Sequence, residues 1–173
     1  MTKIDTRTWK PFKIGGDGGL FKVVKGKRLT KADMREGPIN YIGASALNNG
    51  ITAKIANDER LHPANTITVS YNGSVGESFY QNEPFWASDD VNVLYPNFIM
   101  SCNIAMFLLP LIKAVSRKYG FTNKWKKEQM EVSEILLPEK NGEPDFAFME
   151  SFMASLGTRV KTSVELLAKN GGQ

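Results

Sequence analysis

Histidine and cysteine are almost missing from this chain: His62 and Cys102 are the sole examples among 173 residues. One cysteine excludes an internal disulfide, and one cysteine with one histidine cannot build a Cys/His metal cluster. His62 precedes Pro63 in a polar stretch and reads as a solvated loop histidine. Cys102 sits in the apolar stretch Phe98-Ile-Met-Ser-Cys-Asn-Ile-Ala-Met-Phe, with no cation beside it in sequence to lower its pKa, and reads as a buried structural thiol. Such thiol usage suits a reducing, intracellular compartment. Long apolar runs are lacking too. The longest, near Ile104–Ile112, is interrupted by Pro110 and too short to span a bilayer. The opening segment MTKIDTRTWKPFKI has no apolar core and is not a signal peptide. A soluble, cytoplasmic protein with no membrane partner is expected.

Catalytic motifs are equally scarce. Neither G-x-x-x-x-G-K-[ST] nor G-x-G-x-x-G occurs; Gly15-Gly-Asp-Gly-Gly and Gly73-Ser-Val-Gly76 only imitate phosphate-cradling glycines. Asn72-Gly-Ser-Val-Gly lacks the first glycine of a nucleophile elbow. Asp89-Asp90 is a paired-carboxylate candidate for magnesium. Adjacent residues on a strand point to opposite faces, so a strand-entry turn or a contact with a neighbouring amide explains the pair more simply. The expectation is no catalytic residue, no metal and no cofactor.

What the chain does have is segregated charge. Residues 1–40 carry ten Lys/Arg against four acids. Residues 113–127 carry Lys113, Arg117, Lys118, Lys124, Lys126 and Lys127 with no acid, and 128–150 then carry seven acids against one lysine. The net charge of +4 is mild, but this distribution suits basic faces for phosphates.

Periodicity predicts an α+β domain. Strands are expected at Trp9–Ile14, Leu20–Leu29, Ile39–Ala44, Thr66–Tyr71, Ser78–Gln81, Val91–Tyr95 and Ile135–Pro138, with turns at Gly15–Gly19 and Asn48-Asn-Gly50. Thr30–Asp33 reads as a short capped helix. The period changes after Pro96: Ile104, Phe107, Leu108, Leu111, Ile112 and Val115 predict a helix over 101–119 with an irregularity at Pro110. A short helix is expected over Trp125–Met130, a linker at Asn141–Pro144, and a long helix over Asp145–Asn170. On that last helix Met149, Met153, Leu156, Val160, Val164 and Leu167 are spaced 4, 3, 4, 4 and 3 residues apart. This is a seam for a partner helix, weakened at Gly157 by about 1 kcal/mol relative to alanine. Coming after a proline-marked linker, it reads as a dimerisation or docking helix.

The turns carry base-reading chemistry. Asparagine and glutamine pair bidentately with adenine, and arginine or lysine with guanine. The candidates for DNA contact are Lys25, Lys27, Arg28, Lys31, Asn48, Asn49, Lys54, Tyr71, Asn72, Ser74, Tyr80, Gln81, Trp86, Lys118, Lys124 and Lys126. Each has an ordinary alternative, because Asn-Gly is turn chemistry and Tyr or Trp often packs in a core.

Read in order, these pieces form a pattern. Leu20-Phe-Lys-Val-Val-Lys-Gly-Lys-Arg-Leu leads to Ile39-Asn-Tyr-Ile-Gly-Ala-Ser-Ala-Leu-Asn-Asn-Gly-Ile, then Thr66-Ile-Thr-Val-Ser-Tyr-Asn-Gly-Ser-Val-Gly, Phe79-Tyr-Gln and Pro84-Phe-Trp-Ala-Ser-Asp-Asp-Val-Asn-Val-Leu. Trp125-Lys-Lys-Glu-Gln-Met and Ile135-Leu-Leu-Pro close it. Over residues 9–140 this resembles the target recognition domain of type I restriction–modification specificity subunits and of related type II specificity subunits. The terminal helix resembles the family's spacer helix. The resemblance implies a twisted mixed or antiparallel sheet with a few packed helices, gripping one half of a bipartite site in double-stranded DNA. It also implies a methyltransferase subunit as partner, with catalysis and its cofactors left to that subunit. On this reading residues 1–140 are the recognition domain, and 141–173 are the linker and docking helix, through which a homodimer is a further expectation. Two alternatives stay open: a small metal-dependent nuclease using Asp89 and Asp90, and a protein-interaction module that mimics or antagonises a specificity subunit. Against a DNA mimic stands the basic charge.

Overall fold

The computed structural model describes residues 4–170. In chain order the strands are β1 (Lys10–Lys13), β2 (Phe21–Lys25), β3 (Glu36–Ile42), β4 (Ile51–Ile55), β5 (Thr66–Ser70), β6 (Ser78–Gln81), β7 (Phe85–Ala87), β8 (Val91–Pro96), β9 (Glu134–Leu137), β10 (Glu139–Lys140) and β11 (Glu143–Pro144). The helices are α1 (Cys102–Ser116), α2 (Lys127–Val132) and α3 (Phe146–Asn170).

A four-stranded antiparallel sheet of order β2-β8-β5-β6 forms the centre. A three-stranded sheet of order β4-β3-β7 covers one face, with β3 and β7 parallel. The alternation of strand side chains explains this layering. From β5, Ile67 and Val69 enter the main core with Ile104, Leu108 and Ile112 of α1. From β8, Val91 and Val93 meet Ile42, Phe85 and Ala87 of the smaller sheet. All five residues of β5 are buried, as befits a strand covered on both faces. The mixed α+β architecture expected from periodicity is the one observed.

α1 starts on Ser101, whose Oγ accepts from the Ile104 amide at 3.1 Å. It runs through Pro110, which lies with Met106 on the exposed side, so the carbonyl that proline leaves unpaired faces solvent. α3 begins after Asp145, whose Oδ1 accepts from the Phe148 amide at 2.9 Å. Its first turns belong to the domain. Met149 is fully buried, and Phe148 and Phe152 meet Phe107 of α1 edge-on at 6.3 and 5.9 Å. Glu150 accepts hydrogen bonds from Ser101 and Asn103, which tie the two helices together and hold its carboxyl below the usual range. The seam therefore divides. Met149 and Met153 pack on the domain's own core, while Leu156, Val160, Val164 and Leu167 are exposed.

Several local expectations are corrected. Thr30–Asp33 is a turn and not a helix, with the Thr30 hydroxyl bonded to the Asp33 carboxylate. The short helix begins at Lys127, two residues after Trp125. Asn141–Pro144 is part of a tight hairpin, and positive φ at Asn141 (56°) and Gly142 (86°) suits a two-residue turn. Cys102 is exposed, because it shares the outward face of α1 with Met106 and Pro110. His62 is buried at 6% exposure, since it pairs with Phe85 by an isolated bridge. Its ring stacks on Phe85, and Nδ1 lies 2.9 Å from the Tyr95 hydroxyl. Burial pushes its pKa down to about 4, so the ring is neutral at physiological pH.

Among the described residues no helix is long and apolar enough to cross a membrane.

Candidate nucleic-acid interface

The two basic segments of the sequence meet in space. Lys25 ends β2, and Tyr71 follows β5. Lys126 and Lys127 open α2, and Asn92 lies on β8. Together with Glu128 these residues line one cleft of about 180 Å³. The Lys25 ammonium stands 5.4 Å from the centre of the Tyr71 ring, whose hydroxyl donates to the Asp89 carbonyl at 2.6 Å. Three cations against one carboxylate make the cleft electropositive.

Gly26 explains why the basic turn lies where it does. Its amide donates to the Val91 carbonyl at 2.9 Å, and a Cβ there would stand 2.0 Å from the Ser88 carbonyl oxygen. Only glycine passes so close; before it Lys25 pairs with Asn92 of β8, and after it the Lys27 amide turns to the Ala87 carbonyl at the end of β7. Lys27, Arg28 and Lys31 are exposed.

Asn92 is 1% exposed, and its Nδ2 meets the Met130 sulfur at 3.5 Å. Among the described residues its Oδ1 has no hydrogen-bond partner. A buried amide oxygen left unpaired costs about 1–3 kcal/mol, so this atom marks the cleft floor as a polar position held at some expense.

A second depression lies beside the first and shares Lys126 with it. Phe121, Thr122, Asn123, Lys124, Lys126 and Gln129 line it, with about 340 Å³ of space. Phe121 is 78% exposed, and the Lys124 ammonium lies 5.9 Å from its ring centre. Lys118 covers Tyr119 at 5.4 Å. The loop is anchored by Trp125, which is fully buried, stacks on Tyr119 and donates to Ser133 at 3.1 Å. Lys113, by contrast, is engaged with Glu77 at 2.6 Å.

The remaining candidates divide by location. Asn72 donates to Asp90 at 2.7 Å, and Ser74 is half-buried in the same loop; both lie at the end of β5 next to Tyr71. The amide of Asn72 thus accounts for the Asp90 carboxylate. Among the described residues no three His, Cys, Asp or Glu side chains are placed to share a metal ion.

Asn48, Asn49, Tyr80 and Gln81 gather at β6, the opposite edge of the central sheet from β2. Three strand spacings separate the two edges, roughly 14 Å. Asn48 and Asn49 both adopt positive φ, and their amides are spent on backbone and side-chain bonds within this corner. Tyr80 donates to Asn65 at 2.5 Å.

Two candidates are corrected outright. Gln81 is 2% exposed and donates to Asn49 and Thr68. Trp86 is 4% exposed on β7, where its Nε1 donates to the Lys27 carbonyl at 2.7 Å. Both are supports, and Trp86 holds the basic turn from beneath. Lys54 lies on the outer strand β4 with its ammonium on the Pro38 carbonyl, away from the cleft. Sequence reasoning missed Asn92, Phe121 and Gln129. Phe121 carried one signal: a bulky aromatic in a basic stretch with no helical or strand period.

An electropositive cleft thus lies on a mixed α+β scaffold from which a long helix runs out. The chain belongs to the type I restriction modification DNA specificity domain family, which it matches over residues 6–166. It is 37% identical over 158 residues to the specificity subunit S.BcgI of a type II restriction enzyme from Heyndrickxia coagulans, covering 88% of this chain and 45% of that protein. Its fold matches the S subunit of the type I restriction-modification system from M. genitalium with a TM-score of 0.63 at 17% identity, over 94% of this chain and 42% of that one. The HsdS subunit from Thermoanaerobacter tengcongensis matches with a TM-score of 0.63 at 14% identity, over 99% and 42%. The chain thus spans less than half the length of these relatives.

Proposed function

We propose that this chain is a non-catalytic DNA-specificity module that reads one half-site of double-stranded DNA in the cytoplasm. It works beside a methyltransferase subunit, which supplies the chemistry. The observation that carries the reading is the meeting of two basic segments, a hundred residues apart in sequence, on one cleft of a specificity-family domain. Lys25, Lys27, Arg28, Lys31, Lys118, Lys124, Lys126 and Lys127 take phosphates, and Asn72, Ser74 and Tyr71 stand nearest the base edges. The recognition unit runs past residue 140 into the first turns of α3, because Met149 and Met153 pack on its core, and the docking unit is the rest of α3, from Leu156 on.

Replacing Lys27 and Arg28 together with alanine is expected to weaken binding to any duplex by about ten- to a hundredfold at ~0.1 M salt. Fluorescence anisotropy with pooled random duplexes over a salt series measures it. Unchanged affinity would remove that turn from the interface.

One module offers few base contacts, and each discriminates by only about 1–3 kcal/mol. Two copies joined through α3 would read two half-sites related by two-fold symmetry. The exposed stripe of Leu156, Val160, Val164 and Leu167 supports this pairing; its first three residues, with Ile4 and Phe152, line an apolar groove of about 580 Å³. Val160→Glu with Val164→Glu alters exposed positions and should leave folding intact. In sedimentation velocity the pair is expected to convert a dimer to a monomer. A variant that sediments like the parent defeats the pairing.

A further inference from the structure

The depression under Phe121 combines three chemistries that a nucleotide combines. Phe121 offers an aromatic ring at 78% exposure, accompanied by the Lys124 ammonium. Lys124 and Lys126 place two cations on the rim. Gln129 lines the wall, and its side-chain oxygen is shielded from solvent and, among the described residues, has no hydrogen-bond partner. The Lys124 ammonium lies 5.9 Å from the ring centre, and the ring otherwise remains largely open to solvent. Trp125 locks the loop to the core, so Phe121 is presented from a fixed base.

We propose that this depression receives a single nucleotide displaced from the base stack. Its base lies on Phe121, an exocyclic amine donates to Gln129 Oε1, and the flanking phosphates meet Lys124 and Lys126. The acceptor on Gln129 favours a base with an exocyclic amine, which adenine, cytosine and guanine carry and thymine lacks. This rests on the DNA-binding reading given above and extends it: a site for an unstacked base adds recognition beyond groove contacts, and it favours duplexes in which displacement costs least.

The full chain is titrated with two labelled duplexes of the same flanking sequence, one fully paired and one carrying a single unpaired adenine. The unpaired adenine is expected to bind about tenfold more tightly, a gain in the range of one base stacked on an aromatic side chain. Phe121→Ala should erase the gain without changing the salt slope, because no charge is removed. Phe121→Trp should keep it and show quenched emission on binding. An unpaired cytosine should gain more than an unpaired thymine in the parent, and the two pyrimidines should gain equally in Gln129→Leu. Equal affinity of the parent for both duplexes overturns the inference and leaves the DNA-binding reading standing, as does a gain that survives in Phe121→Ala. No binding to either duplex overturns both.

Discussion

Alanine at Lys25, Lys126 and Lys127 together is expected to lower duplex affinity by roughly a hundred- to a thousandfold at about 0.1 M salt. The size follows from counterion release. Each phosphate neutralised on B-DNA contributes about 0.9 to the slope of log K against log salt, so three lost contacts flatten the slope by ~2.7. These three ammonium groups converge on one cleft, so they act on adjacent phosphates and are lost together. Folding should be spared. Lys25 and Lys126 are exposed, and the ion pair of Lys127 with Glu131 is long, at 3.5 Å, and partly solvated. Such a pair is worth at most about 1 kcal/mol. Lys54→Ala is the control, since it removes an exposed cation from strand β4 and is expected to change little. Parallel salt lines for the triple variant and the parent would place the duplex elsewhere on the molecule.

That cleft shows where sequence reading succeeds and where it stops. Its cations were legible because charge segregation survives in one dimension: Lys25 to Arg28 and Lys118 to Lys127 stand out as runs. Their convergence was not, because it depends on β2 pairing with β8 and on α2 lying against Asn92. The central sheet was readable from β-branched alternation at Thr66–Ser70 and Val91–Val93. The parallel pairing of β3 with β7 carries no local signature, so Trp86 looked like a loop residue after Pro84 when it is a buried prop under Lys27. His62 misled for the same reason. A polar neighbourhood in sequence says nothing about the bridge to Phe85 that buries the ring. Gln81 is the subtler case: its amide has the chemistry to read adenine, but two acceptors and a donor inside the corner already occupy it. Residue type gives the capacity for a contact, and only the fold says whether the atoms are still available.

The long helix repeats the lesson in energetic terms. Its seam is continuous in sequence, yet Met149 and Met153 are consumed by the domain while Leu156 to Leu167 run beyond it. Periodicity predicts which residues want a partner. It does not distinguish a partner within the chain from one outside, since both bury the same stripe.

Trp125→Ala is expected to cost about 3–5 kcal/mol of stability, a large share of the ~5–15 kcal/mol available to a domain of this kind. The indole has no solvent exposure, stacks on Tyr119 at 5.5 Å and donates to Ser133. Ser133 in turn donates to the Gln129 carbonyl at 2.6 Å, and its own carbonyl takes the Ile14 amide at 2.8 Å. One side chain thus joins the basic loop, the start of α2 and the edge of β1. Urea denaturation reads the loss as a lower midpoint at unchanged slope. Trp125→Phe separates packing from hydrogen bonding: it keeps most of the ring and drops the N–H, and should cost only about 1–2 kcal/mol. Function adds a second discriminant. Releasing the loop scatters Lys124 and Lys126 without removing their charge, so Trp125→Ala should weaken duplex binding while the salt slope falls far less than in the triple lysine variant. If the alanine variant loses less than about 1 kcal/mol, or binds DNA as the parent does, the indole is not the post on which the interface stands.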